Sequence, residues 1–294
     1  MTPDWLNIYE RNWQPCVLDA TRVSDGKRVV LRKAETWKDE LPIYQRLSRL
    51  PNVSRNRLAP VLDVLLLPDT DEDVLLVLPL LREYYDPPFS RVEQVVQCLT
   101  QFMEALLFMH EQDIAHRDFC THNLMMDASH IVPTSHHFAA PYLTPDSQHG
   151  LTFCDRTVVP LPDYFVIDLG LAIHMPNGRH SVLGMYGQDK TVPELSWEEP
   201  YDPFMVDIYQ FGNVIMRDMV DLYDGLDFLR PLAERMVQRD PCSRPAISEA
   251  FGIFLQAVKD LPPSGLQQSI QLTKRFSGHL LFAVPEEELA RGCC

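Results

Sequence analysis

The chain has 294 residues, 46% of them hydrophobic, and a formal net charge of −15. That is enough for one catalytic-sized unit with a sizeable core, while the strong negative charge argues against general nucleic-acid binding. Its longest apolar run, Val74 to Leu81 with Pro79 inside it, is too short to span a bilayer, and the start Met1-Thr2-Pro3-Asp4-Trp5 lacks a signal-peptide pattern. A cytoplasmic or nuclear setting is expected. The seven cysteines show no metal-type spacing and read as reduced thiols.

In chain order, Cys16–Ala20 and Arg28–Arg32 read as strands joined by the turn Ser24-Asp25-Gly26-Lys27. A helix is expected over Thr36–Leu50, with Thr36 as N-cap, Glu40 near its start and Pro42 interrupting it. Val61–Leu66 and Val74–Leu78 read as a second strand pair around the acidic turn Asp69–Asp73. Val92, Val95, Val96, Leu99, Met103, Leu106 and Leu107 recur at helical spacing, which predicts an amphipathic helix over Ser90–Gln112. Phe204–Met219 and Ala246–Asp260 are the later helices. Between Asn123 and Asp168 the chain carries a stretch, about 129–162, rich in His, Pro, Ser and Thr, which is expected to form a loop excursion. Its His130, His136 and His137 lack the spacing of a metal site.

Two short strings carry chemistry: His116-Arg117-Asp118-Phe119-Cys120-Thr121-His122-Asn123, and Ile167-Asp168-Leu169-Gly170 after the apolar strand Tyr164–Ile167. Phosphoryl transfer from Mg-ATP is mostly positioning and charge neutralisation, so it needs a carboxylate near the acceptor hydroxyl and oxygen ligands for magnesium. Asp118 fits the first role, and Asn123 and Asp168 fit the second. Val192-Pro193-Glu194, Asp207-Ile208-Tyr209-Gln210-Phe211-Gly212 and Arg239–Pro245 follow in order.

With these strings the chain resembles the eukaryotic protein-kinase superfamily over about residues 10 to 262. Gly187–Glu194, Asp202–Asp207, Met125-Met126-Asp127 and the long insert narrow the resemblance to an expanded protein-kinase-like family of mushroom-forming (basidiomycete) fungi. The resemblance implies an α+β, two-lobed fold: a β-rich small lobe with hinge over 1–81, a mostly helical large lobe over 82–262, and a tail over 263–294. It implies ATP and Mg²⁺ as cofactors and a protein substrate or signalling partner. Arg32 would hold the phosphates and pair with Glu40, Leu78 would be gatekeeper-like, and Val17, Val30, Leu80 and Met125 would enclose the adenine. Asp207 would accept backbone hydrogen bonds from the Asp118 loop, and Glu194 would pair with Arg244. Arg117 suggests control by phosphorylation at Ser181, Tyr186 or Thr191.

Departures from the superfamily pattern leave the activity open. The glycine-rich phosphate loop is missing, its positions falling on Glu10, Asn12 and Pro15, and Arg32 replaces the strand lysine. Lys33 is a poor substitute because alternate strand residues face opposite ways. Cys120 matches neither acceptor class, with serine/threonine the preferred reading. A protein kinase, a pseudokinase scaffold with weak or no turnover, and a small-molecule phosphotransferase of the aminoglycoside or choline kinase kind therefore stand as alternatives. The terminal Cys293 and Cys294 are expected to be unmodified.

Overall fold

A computed structural model describes residues 16–50, 54–176 and 181–273. The positions of the missing glycine loop, Glu10, Asn12 and Pro15, and the terminal cysteines lie outside the described residues. The fold is mixed α+β. Strands β1 (Val17–Thr21), β2 (Arg28–Glu35), β3 (Asp63–Leu66) and β4 (Asp73–Pro79) form one antiparallel sheet in the order β1-β2-β4-β3, with helix α1 (Glu40–Ser48) against it. Register fixes which side chains share its inner face. Val30 lies opposite Leu78, Arg32 opposite Leu76 and Val17, and Ala34 opposite Val74. Ala34, Val74, Leu76 and Leu78 are core residues, so the pleat carries Arg32 inward with them and turns Lys33 outward, where it pairs with Asp73 at 2.9 Å.

Helix α1 begins four residues later than the sequence suggests. Thr36 is not its N-cap, because its hydroxyl donates to the carbonyls of Asp71 and Glu72 in the neighbouring turn, and Asp39 occupies the cap position. The later start places Pro42 in the first turn, where a missing N–H costs nothing.

Beyond β4 lie β5 (Arg82–Glu83), α2 (Val92–Glu111), β6 (Ile114–Ala115), β7 (Leu124–Met126), β8 (Tyr164–Val166) and β9 (Ile173–His174). Val95, Leu99, Phe102, Met103, Leu106 and Met109 recur every three or four residues along α2 and are almost fully buried, so this helix is the centre of the core. The Gln94 side chain accepts from the backbone N–H groups of Ser90 (2.9 Å) and Arg91 (3.3 Å) and sets its start. At its end Asp113, with φ 58°, turns the chain into β6.

The remaining elements are β10 (Val182–Gly184), β11 (Ser196–Tyr201), α3 (Pro203–Val214), continued by a π-helical turn over Ile215–Val220, β12 (Tyr223–Asp224), α4 (Arg230–Met236), α5 (Ile247–Lys259) and β13 (Gln271–Leu272). Asp202 caps α3 by accepting from Phe204 N–H at 2.9 Å, with Pro203 in the first turn.

The stretch between β7 and β8 has no helix or strand, yet it is packed. Ile131, Val132 and Leu151 are buried. Arg156, also buried, donates to Tyr84 O at 2.9 Å and lies over the Phe89 ring. Arg82 donates to Pro141 O at 2.7 Å, and Arg28 of β2 donates to His136 O at 3.0 Å. The expected excursion is thus a strap running from the helical part back to the sheet. No helix among the described residues is long and apolar enough to cross a membrane.

Candidate active site

The loop carrying Asp118 is held from below by α3. The fully buried Asp207 carboxylate accepts from the backbone N–H groups of His116 (2.8 Å) and Arg117 (2.6 Å) and contacts His110 Nε2 at 3.0 Å. One helical turn along, Gln210 accepts from Phe119 N–H at 2.9 Å and donates to Arg117 O at 3.2 Å. These contacts stabilise a backbone that no unsupported arginine would choose, since Arg117 has φ 66°. His116 accepts from Asp118 N–H through Nδ1 (3.2 Å) and sits 3.0 Å from Ile167 O through Nε2. That pattern selects the Nε2–H tautomer and ties the two chemically significant strings together.

Asp118 is almost buried, and both carboxylate oxygens are occupied. Oδ1 accepts from Gln188 N–H at 2.7 Å and from the Cys120 thiol at 3.4 Å; Oδ2 accepts from Asn123 Nδ2 at 3.0 Å and Gln188 Nε2 at 3.1 Å. Asn123 Nδ2 also donates to Asp118 O at 2.8 Å, which folds the loop around its own carboxylate. Burial and the Asp118 charge push the Cys120 thiol far above its ordinary range, so it remains a protonated donor. Gly187, beside Gln188, has φ 85°, and a Cβ there would stand 2.7 Å from Arg117 O. Only glycine lets the segment approach Asp118 this closely.

Across from Asp118, Arg32 gathers two carboxylates. Its Nη2 pairs with Glu40 of α1 and lies 3.1 Å from Asp168 Oδ1. Burial opposes the guanidinium charge, but Asp168 and Glu40 outweigh it and hold the Arg32 pKa above its ordinary value. Asp168 is left-handed (φ 62°), and its Oδ1 also accepts from Gly170 N–H at 3.1 Å. A Cβ at Gly170 would meet that same oxygen at 3.0 Å. Arg32 Nε is buried and has no hydrogen-bond partner.

Val17, Val30 and Leu78 share the Arg32 face of the sheet by register, while Leu80 follows β4 and Met125 lies on β7, both half-buried. The described contacts bring Asp118 to Asn123 and Arg32 to Glu40 and Asp168. No described contact joins Leu80 or Met125 to the three sheet residues. Below the site, Arg244 meets Glu194 through two parallel bonds of 2.5 and 2.8 Å, with the arginine side chain fully buried. Arg117 lies over the Tyr186 ring, and Thr191 bonds Asp189 at 2.7 Å.

Three contributors escaped the sequence reading. Gln210 offered one clue, being a polar residue one turn from Asp207 on an otherwise apolar helix. Asp218, half-buried, accepts from the hydroxyls of Thr121 (2.5 Å) and Tyr84 (2.9 Å), from a position where periodicity marks only the helix end. Gln188 gave no signal, because its role depends on a segment folding back over Asp118. No model of a known protein family matches the chain, and no curated protein matches it.

Proposed function

We propose that the chain is a protein-kinase-like phosphotransferase that moves the γ-phosphate of Mg-ATP to a protein hydroxyl. In this reading the four-stranded sheet with α1 is the small lobe and the helical remainder is the large one. The observation that carries the reading is Arg32 held between Glu40 and Asp168, with the Asp118–Asn123 pair on a separately braced loop.

The residues present fit the implied cofactor. Magnesium is usually held by one or two protein oxygens together with phosphate oxygens and water, which Asp168 and Asn123 match. The partnerless Arg32 Nε is a donor that a phosphate oxygen would satisfy. Val17, Val30, Leu78, Leu80 and Met125 would enclose the base. Mg-ATP supplies the transferable phosphoryl group and neutralises its charge. Arg32 would bind phosphate oxygens while Glu40 keeps its guanidinium in place. Asp118 would orient the acceptor hydroxyl and take its proton at Oδ2, replacing the bond from Gln188 Nε2.

A second reading, a scaffold without turnover, is favoured by Gln188, which bonds both carboxylate oxygens of Asp118. Thermal unfolding with ATP separates the two, because a ligand that binds only the folded state must stabilise it. A magnesium-dependent rise in Tm that Asp168→Asn abolishes is expected. No rise at millimolar ATP would leave the scaffold reading standing.

A further inference from the structure

Beside Asp118 lies a pocket of about 390 Å³, lined in part by Cys120 and Gln188, which bond the Asp118 carboxylate. Lys190, Arg217, Asp189 and Asp218 line it as well. Its charges are unevenly matched. Asp189 accepts from Thr191 N–H (2.9 Å), Thr191 Oγ1 (2.7 Å) and Asn213 Nδ2 (2.6 Å), and Asp218 from the Thr121 and Tyr84 hydroxyls. The hydrogen bonds to both carboxylates come from neutral donors, while Arg217 attracts both from further away; burial pushes the Asp218 pKa up against that attraction.

The cations are not satisfied in the same way. Arg217 Nη2 donates to the Thr191 hydroxyl at 3.1 Å and Lys190 Nζ to Met185 O at 2.8 Å. Among the described residues neither forms an ion pair, and both are exposed at the mouth. His122 joins them on the rim, 3.6 Å from Glu83. The surface alongside is apolar: Leu183, Met185, Tyr186 and Trp197 are exposed, and the two aromatic rings meet edge to face. A small polar molecule would make no use of that surface, whereas a peptide chain would.

We propose that this pocket is an acceptor-side subsite that takes an acidic side chain of a peptide whose hydroxyl lies at Asp118, with Arg217 and Lys190 as its counter-ions. The assignment rests on the phosphotransferase reading for the position of the hydroxyl, but the anion preference stands on the pocket alone. An acidic preference here would run against the overall net charge of −15.

The test is retention of two Ser-centred peptide pools by the full chain, one carrying Asp and Glu around the serine and one carrying Lys and Arg, read by fluorescence anisotropy. Thermal unfolding with Mg-ATP is run on the same samples. The acidic pool should bind at least about tenfold more tightly. That preference should fall to parity in Arg217→Gln and in Lys190→Gln, with the ATP response unchanged. Two exposed positions guard against a single variant that fails to fold. A basic preference, an acidic preference that survives both substitutions, or binding of a small phosphate ester with neither pool bound would overturn the proposal. Loss of the ATP response with the acidic preference intact would instead remove the phosphotransferase reading and leave the anion pocket standing.

Discussion

The two sides of the candidate site are built by different means. On one side, Asp118 sits on a loop whose backbone is bonded at His116, Arg117 and Phe119 by Asp207 and Gln210, both fully buried on one helix. On the other side, the guanidinium of Arg32 on β2 holds two carboxylates, from α1 and from the Asp168 turn, and one of its own nitrogens has no partner. The first arrangement is anchored by two buried side chains of one helix, so it depends on that helix. The second is a junction at which geometry depends on how the sheet, α1 and the Asp168 turn sit together. The Asp118 loop is thus held by one helix, whereas the Arg32 junction depends on three elements.

The comparison is broken most severely by Asp207→Ala. It strips partners from two buried backbone N–H groups, each worth about 1–3 kcal/mol, so a loss of about 2–6 kcal/mol is expected in denaturant unfolding. A loss below about 1 kcal/mol would mean that the loop is held by other contacts.

A smaller effect is expected at the strap between the two sides. Burial, followed by the charges of Arg82 and Arg28, lowers the His136 pKa from 6.5 to about 4. Below pH 6.5 the unfolded chain takes up a proton that the folded chain refuses until about pH 4. Stability from this residue is therefore complete above pH 6.5 and is lost as pH falls through that window, by about 3 kcal/mol at most. His136→Phe should flatten the dependence of stability on pH between these values; an unchanged slope would assign it to other groups.

The smallest structural effect, and the sharpest for function, is expected from Gln188→Ala. The backbone bond to Asp118 Oδ1 remains and only the side-chain bond to Oδ2 is lost, so stability should change by about 1 kcal/mol or less. Removing the Gln188 bond, with Asn123 still bonded to Oδ2, should raise Mg-ATP hydrolysis by up to about fivefold if that bond opposes entry of the hydroxyl. An unchanged rate in a variant that still responds to ATP would show that Gln188 does not obstruct Asp118.

Much of the local structure was legible in advance. Alternation in Val29–Lys33 separates Arg32 from Lys33, and the three-to-four spacing in Val92–Met109 identifies the core helix, because each depends only on the period of its element. The start of α1 was misplaced because Thr36, a good cap by type, is drawn away by carbonyls from Asp71 and Glu72, far along the chain. The stretch between β7 and β8 read as an excursion because its composition is that of a loop. Arg156, Arg82 and Arg28 pack it by bonding backbone carbonyls, which leave no trace in composition.

The sequence alone determined the periods of strands and helices, the separation of Asp118 from Asn123, and which residue types could serve a phosphate, a metal or a proton, because these are properties of neighbouring residues. Only the tertiary structure decided that Arg32 reaches Asp168 as well as Glu40, that Gln188 covers Asp118, and that Arg217 and Lys190 face one pocket. Those contacts join residues distant along the chain. Their energies depend on burial and on competing partners, which packing alone supplies.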